Sequence, residues 1–405
     1  MKRIFLFLLV LFVFQISNLS AQNENNESKY FGIPSRSFGI GFGNSIVFNG
    51  IRFNGIDKQV EKVNGLNISL WTHEENTEAQ INGISLGLIP TAAIMRGANI
   101  GVLGLIAREN LNGLNLASVG FGAGNNLNGI SVASLGLGSG NQINGIALAG
   151  LGLGSGGNMN GVFFGGFGAG CGGNANGILI GGLGAGAENN IRGIAIGGLG
   201  LGAGDDIRGI ALGGLGVGAG KDIRGLAFGL GGVASGENLR GFFIGGLGIG
   251  AGKDLDGISL AGVGIGADEN IRGITLAGIG IGAGRNLSGV QIAGIGLGAG
   301  KTLQGISIAG IALGSAKEIK GIQIALATIQ SKEKINGLSI VPGYLKTEQY
   351  RGIAIAGYSK TLSMSGLSIA LFNRTQELHG VQVGIFNFAG NNKKGLKLLP
   401  ILNIH

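Results

Sequence analysis

The chain has few of the residues on which enzymes and metalloproteins rely. Its 405 residues hold one cysteine, Cys171, and three scattered histidines, His73, His379 and His405. One cysteine forms no internal disulfide, and this set lacks the clustered ligands of a zinc site. Charged residues make up only 12% of the chain, and none occurs from Asn110 through Ala187. Asparagines recur through that uncharged span and exclude a transmembrane helix. Asp206, Asp222 and Asp254 share one repeat position, but Asn190, Asn238 and Thr302 replace them elsewhere. Calcium-binding solenoids need an aspartate there in nearly every copy. Gly296-Leu-Gly-Ala-Gly-Lys-Thr302 imitates a phosphate loop, yet Ile295 stands where that motif needs glycine. No nucleophile, base and orienter recur together, so the expectation is a non-enzymatic protein with no catalytic residues, cofactor or metal.

What is abundant is glycine, at 88 residues against four prolines. Collagen would need it at every third position, and a disordered chain would lack the many large aliphatics. Instead, a glycine followed by apolar, small and apolar residues returns every 16 residues from Gly97 to Gly337. Such a clock marks one small supersecondary unit copied along the chain, each copy stacking on the last.

One unit runs from Ile207 to Asp222, with large apolar residues at Ile207, Ile210, Leu212, Leu215 and Val217. Steps of two are strand spacing, steps of three mark corners, and helical steps of three and four are missing. The fold class expected is all-β: a glycine-rich β-solenoid of about 16-residue coils, with an outer-membrane β-barrel as the alternative. The break in alternation at Gly213-Gly214 favours the solenoid, because a spanning strand sustains its alternation. Within each coil the large residues, such as Ile210 and Leu212, are expected to face the core. The small residue between them, Ala211 here and Ser131, Thr275 or Gln291 elsewhere, is expected to point outward. Phe163 and Phe243 in that column become candidates for outward contact. At Phe372-Asn373 and Phe386-Asn387, asparagine replaces a glycine and is expected to hold a corner with φ > 0.

Residues 1–21 read as a signal peptide: Met1-Lys2-Arg3, an apolar run from Ile4 to Phe14, then Ser20-Ala21. Its removal takes Lys2 and Arg3 and lowers the formal charge from +8 to +6. Residues 22–30 form a polar leader, 31–96 irregular N-terminal capping repeats, 97–336 the regular repeats, and 337–405 shorter C-terminal repeats and a cap. The location expected is the cell surface, the outer membrane or the extracellular space.

The last units, Gly366-Leu-Ser-Ile-Ala-Leu-Phe-Asn373 and Gly380-Val-Gln-Val-Gly-Ile-Phe-Asn387, are followed by Leu-Pro-Ile-Leu-Asn403. They resemble the bacterial surface repeat proteins built of Gly-Leu-Gln-Ile-Gly-Leu-x-Asn units. The resemblance implies an exported, surface-associated protein without assigned enzymatic activity, and it supplies no binding residue.

The column before the anchor glycine is asparagine at Asn112, Asn128, Asn144, Asn160 and Asn176 and becomes Arg192, Arg208, Arg224, Arg240 and Arg272. Stacked asparagines suit a hydrogen-bonded amide ladder. Stacked arginines are either neutralised by nearby aspartates or form a candidate anion-binding stripe for acidic surface glycans. The partners expected are such glycans or the outer membrane surface, with self-association through the uncharged sector and no nucleic acid. The function expected is an exported surface scaffold or adhesive repeat protein presenting multivalent contact columns; an outer-membrane pore or transporter is the alternative.

Overall fold

The computed structural model describes residues 30–72 and 78–405; the expected signal peptide and almost all of the polar leader lie outside them. The chain divides into two compact units, the second beginning at Gly157. Each unit is a β-solenoid, and the described residues wind through about 21 turns of roughly 16 residues, with no helix among them.

A turn of the second unit shows how the repeat folds. Ile207–Gly213 is one strand, Gly214 and Leu215 bend, Gly216–Ala219 is the second strand, and Gly220 and Lys221 bend again. Each strand pairs in parallel with its copy one period on, Ile207 opposite Ile223 and Gly216 opposite Gly232, without register shift. The ladders between regular turns are parallel, whereas the strands of a membrane barrel are antiparallel. The barrel alternative is therefore overturned, and the pore or transporter reading built on it goes with it.

The anchor glycine sets the clock because no other residue fits its place. Gly209 has φ +130°, and a Cβ there would lie 2.0 Å from the carbonyl oxygen of Gly193 in the turn below. The strand alternates without a break through this glycine, so Ile207, Ala211 and Gly213 point inward while Arg208, Ile210 and Leu212 point out.

That unbroken alternation corrects the expected facing of the side chains. Ala211 is fully buried, as are Ser131, Ser259, Thr275 and Gln291 in the same column, whereas Leu212 and Ile194 are exposed. Phe163 and Phe243 lie in the core, at 1% and 0% exposure, and not on the surface. The core is built from Ile207, Ala211, Val217 and Ala219 and their equivalents. Room in it varies from turn to turn: a Cβ on Gly213 would meet the oxygen of Gly216 at 2.1 Å, whereas the same column holds buried Ala261, Ala277 and Ala293 further on.

Both ends depart from the regular coil. Tyr30–Pro34 folds back antiparallel on Phe38–Gly43, and solenoid pairing starts between that strand and Val47–Asp57. The irregular spacing of the expected capping region is absorbed in full turns, whose anchors Gly50, Gly65 and Gly83 also have positive φ. Inside this part Arg52 is completely buried and ion-paired with Asp57. Its Nε donates to Asn67 Oδ1 at 2.9 Å and its Nη1 to the Ser45 carbonyl at 3.0 Å. At the C-terminus Leu398–Ile404 pairs antiparallel with Glu377–Ala389 and closes the last parallel edge. Asn373 and Asn387 do not form corners with positive φ. They are buried, and Asn373 Nδ2 donates to Asn387 Oδ1 at 2.7 Å. An amide ladder there satisfies polar groups that the interior would otherwise strand.

Candidate functional site

The column before the anchor glycine lies on the outside of the coil, and its two residue types behave differently. Asn128 Nδ2 donates to Asn112 Oδ1 at 2.7 Å, Asn144 to Asn128 at 2.8 Å, and in the second unit Asn176 to Asn160 at 2.8 Å. The arginines are drawn to acids of their own chain. Arg208 meets Asp206 and Arg224 meets Asp222, both at 2.7 Å, while Arg272 reaches Asp254 at 3.2 Å and Asp256 at 3.1 Å. Arg240 lies 3.7 Å from Asp256. Arg192 alone of the five has no carboxylate partner among the described residues; its turn carries Asn190 where the next carries Asp206.

Asp222 fits this picture. Burial raises its carboxyl pKa, but hydrogen bonds from Asn238 and Arg224 outweigh that effect and hold it below the usual range. Each exposed pair contributes at most about 1 kcal/mol. The stripe is therefore largely self-neutralised, and only Arg192 offers a free guanidinium.

A larger feature of the outer surface comes from the outward half of this alternation. In the second unit Ile194, Leu226, Ile258, Ile274 and Ile306 form one exposed column, and Leu212, Phe228, Leu276 and Ile292 form the next. A third runs along the bend, where Leu183, Leu199 and Leu247 flank Leu215, itself 61% exposed. At roughly 4.8 Å per turn and 3.3 Å per residue, ten turns of this six-residue-wide strip present about 1,000 Å². The largest apolar patch on an ordinary monomer covers about 300–600 Å².

The neighbouring side of the coil is bare. Gly216 and Gly218 point outward from the second strand, as do Gly200 and Gly202 one turn below. A Cβ added to Gly202, Gly218, Gly250, Gly282 or Gly298 would meet nothing within 4 Å. Contacts within the chain do not require glycine at these positions, in contrast to Gly209. Ordinary side chains would also raise strand propensity there. Comparison with protein families, curated proteins and solved structures finds no match.

Sequence spacing misplaces these columns, because the step of three from Ile207 to Ile210 reads as a corner but lies within one continuous strand. The sequence did carry one usable signal: the 211-type column holds Asn115, Ser131, Ala147, Phe163 and Ala195, a mixture of sizes suited to neighbours that compensate inside a stack. Asn115 Nδ2 donates to Ser131 Oγ at 3.2 Å within that buried column.

Proposed function

We propose that this protein is an exported, non-enzymatic surface scaffold whose copies bind one another, the apolar side of one coil lying on the glycine side of the next. The reading rests on the exposed aliphatic columns, whose area exceeds the roughly 800 Å² per partner that a stable interface buries. The glycine side supplies the complement, since a strip without side chains lets a ridge of leucines approach to backbone contact. Both strips advance by the same rise per turn, so a contact made once is made at every turn, and affinity comes from repetition. Joining two different sides of one molecule is a heterologous contact, which adds copies without closing and suits a sheet or fibre. The C-terminal resemblance to bacterial surface repeat proteins supports the surface location.

Sedimentation velocity on two variants tests this. Leu183, Leu199 and Leu215 changed to lysine spoil the apolar side, and Gly202, Gly218 and Gly250 changed to arginine spoil the glycine side at positions with open space. Wild-type chains are expected to assemble, each variant alone to stay monomeric, and an equimolar mixture to stop at dimers. Monomeric wild type, or a mixture with no dimer, overturns the proposal.

A further inference from the structure

Toward the C-terminus the bare side of the coil changes character. Its first outward column passes from Gly296 through Ala312 and Thr328 to Tyr344, and its second from Gly298 through Gly314 and Gln330 to Lys346. The period there is 14 residues, which carries these columns to Tyr358, Phe372 and Phe386 and to Lys360 and Arg374. The rings stack in sequence order: Tyr344 and Tyr358 have centroids 5.4 Å apart, and Phe372 and Phe386 5.8 Å. A groove of about 960 Å³ opens along the second column, and none of the four rings lines it. Gly298 and Gly314 line it together with Lys346, Lys360 and Arg374, and the buried Thr347 and Thr361 also border it.

The three cations differ from the arginine stripe in one decisive respect. Apart from Arg192, the stripe is matched by Asp206, Asp222, Asp254 and Asp256, whereas among the described residues Lys346, Lys360 and Arg374 have no carboxylate within ion-pair distance. Glu348 and Lys332 also border the groove, without an ion pair to these three. Like charges in register on adjacent strands destabilise a sheet. A ladder of unanswered cations one turn apart therefore costs stability, and an anion from outside would relieve it.

We infer that this groove binds an acidic polysaccharide, one carboxylated sugar per turn, with uronate carboxylates on Lys346, Lys360 and Arg374. Gln330 and Gln376 at the groove offer donors and acceptors to the sugar hydroxyls. Arg374 can take a carboxylate bidentately, and the lysines act as point charges. Extended sugar chains and solenoids both repeat along a line, so neighbouring residues of one polymer meet equivalent side chains. The groove lies on the C-terminal continuation of the glycine side and shares Gly298 with it, but the variants that test the two proposals fall on different turns, Gly202, Gly218 and Gly250 for association and Lys346, Lys360 and Arg374 for the groove.

Calorimetric titration of the full chain with an oligogalacturonate tests this, using its methyl ester as the neutral counterpart and a single-stranded oligonucleotide as a different polyanion. Binding is expected for the free acid, weakening with salt, and not for the ester. Lys346→Gln/Lys360→Gln/Arg374→Gln is expected to weaken it by about tenfold or more, an amount set by the loss of charge-assisted hydrogen bonds. Arg208→Gln/Arg224→Gln is expected to leave it unchanged. The triple variant should melt no lower than wild type, since it removes repulsion; if it does unfold, Lys360→Gln alone serves. No binding of the acid, equal binding of the ester, tighter binding of the oligonucleotide or an unaffected triple variant would each overturn the inference.

Discussion

Two alanine substitutions nine residues apart should differ sharply in cost. At Gly209 the backbone has φ +130°, and a Cβ would stand 2.0 Å from the Gly193 carbonyl oxygen. Holding alanine in that sparsely populated region costs about 1–3 kcal/mol. Relief of the contact needs more than 1 Å of extra separation between turns, because ordinary Cβ contacts begin near 3.4 Å. Opening the ladder there weakens at least two hydrogen bonds at about 1 kcal/mol each. Gly209→Ala is thus expected to destabilise by roughly 4 kcal/mol. At Gly218 the same Cβ enters open space, so Gly218→Ala should be neutral or stabilising by up to about 1 kcal/mol. A solenoid is held together mainly between adjacent turns, and the loss should be local. Amide hydrogen exchange on the full chain is the assay: Gly209→Ala should accelerate exchange in the turns on either side, and Gly218→Ala should not. Equal protection in the two variants would refute the reasoning.

Further consequences concern the buried polar groups. Arg52→Met leaves Asp57 buried without its cation and should cost about 3–5 kcal/mol in the N-terminal unit, read by thermal melting. Arg224→Gln, which breaks an exposed pair, should cost at most about 1 kcal/mol by the same measurement. Burial pushes the Tyr350 hydroxyl up to about 12 from its ordinary 10.0, while the hydroxyl donates to the Ile353 carbonyl at 2.6 Å. Below pH 10 the ring is neutral whether folded or unfolded. Between about pH 10 and 12 only the unfolded chain ionises, so stability should fall by up to about 2.7 kcal/mol in that window. Tyr350→Phe should remove this part of the alkaline loss in denaturant titrations at pH 9 and pH 11.

The all-β class and the coil length were legible because a 16-residue glycine clock with steps of two and three admits few other structures. The facing of the strands was not. Hydrophobicity places Ile210 and Leu212 inside, but the strand alternates without a break from Ile207 to Gly213, which puts Ile207 and Ala211 in the core and Ile210 and Leu212 outside. The step of three from Ile207 to Ile210 reads as a corner, yet within a continuous strand it is simply a change of face. The asparagine ladder could be read from identical residues in one column; pairing of the arginines also followed from the aspartates two positions before them. The C-terminal groove was missed because Lys346, Lys360 and Arg374 align only on the 14-residue spacing of Gly352, Gly366 and Gly380.

The inverted arrangement can be tested with two single cysteines in a Cys171→Ala background, one at Ala211 and one at Leu212. A hydrophilic maleimide should label Leu212→Cys rapidly in dilute protein and more slowly as copies associate, while Ala211→Cys resists labelling until the chain unfolds. Rapid labelling at position 211 with protection at 212 in the dilute monomer would contradict the outward apolar face on which the proposed scaffold depends.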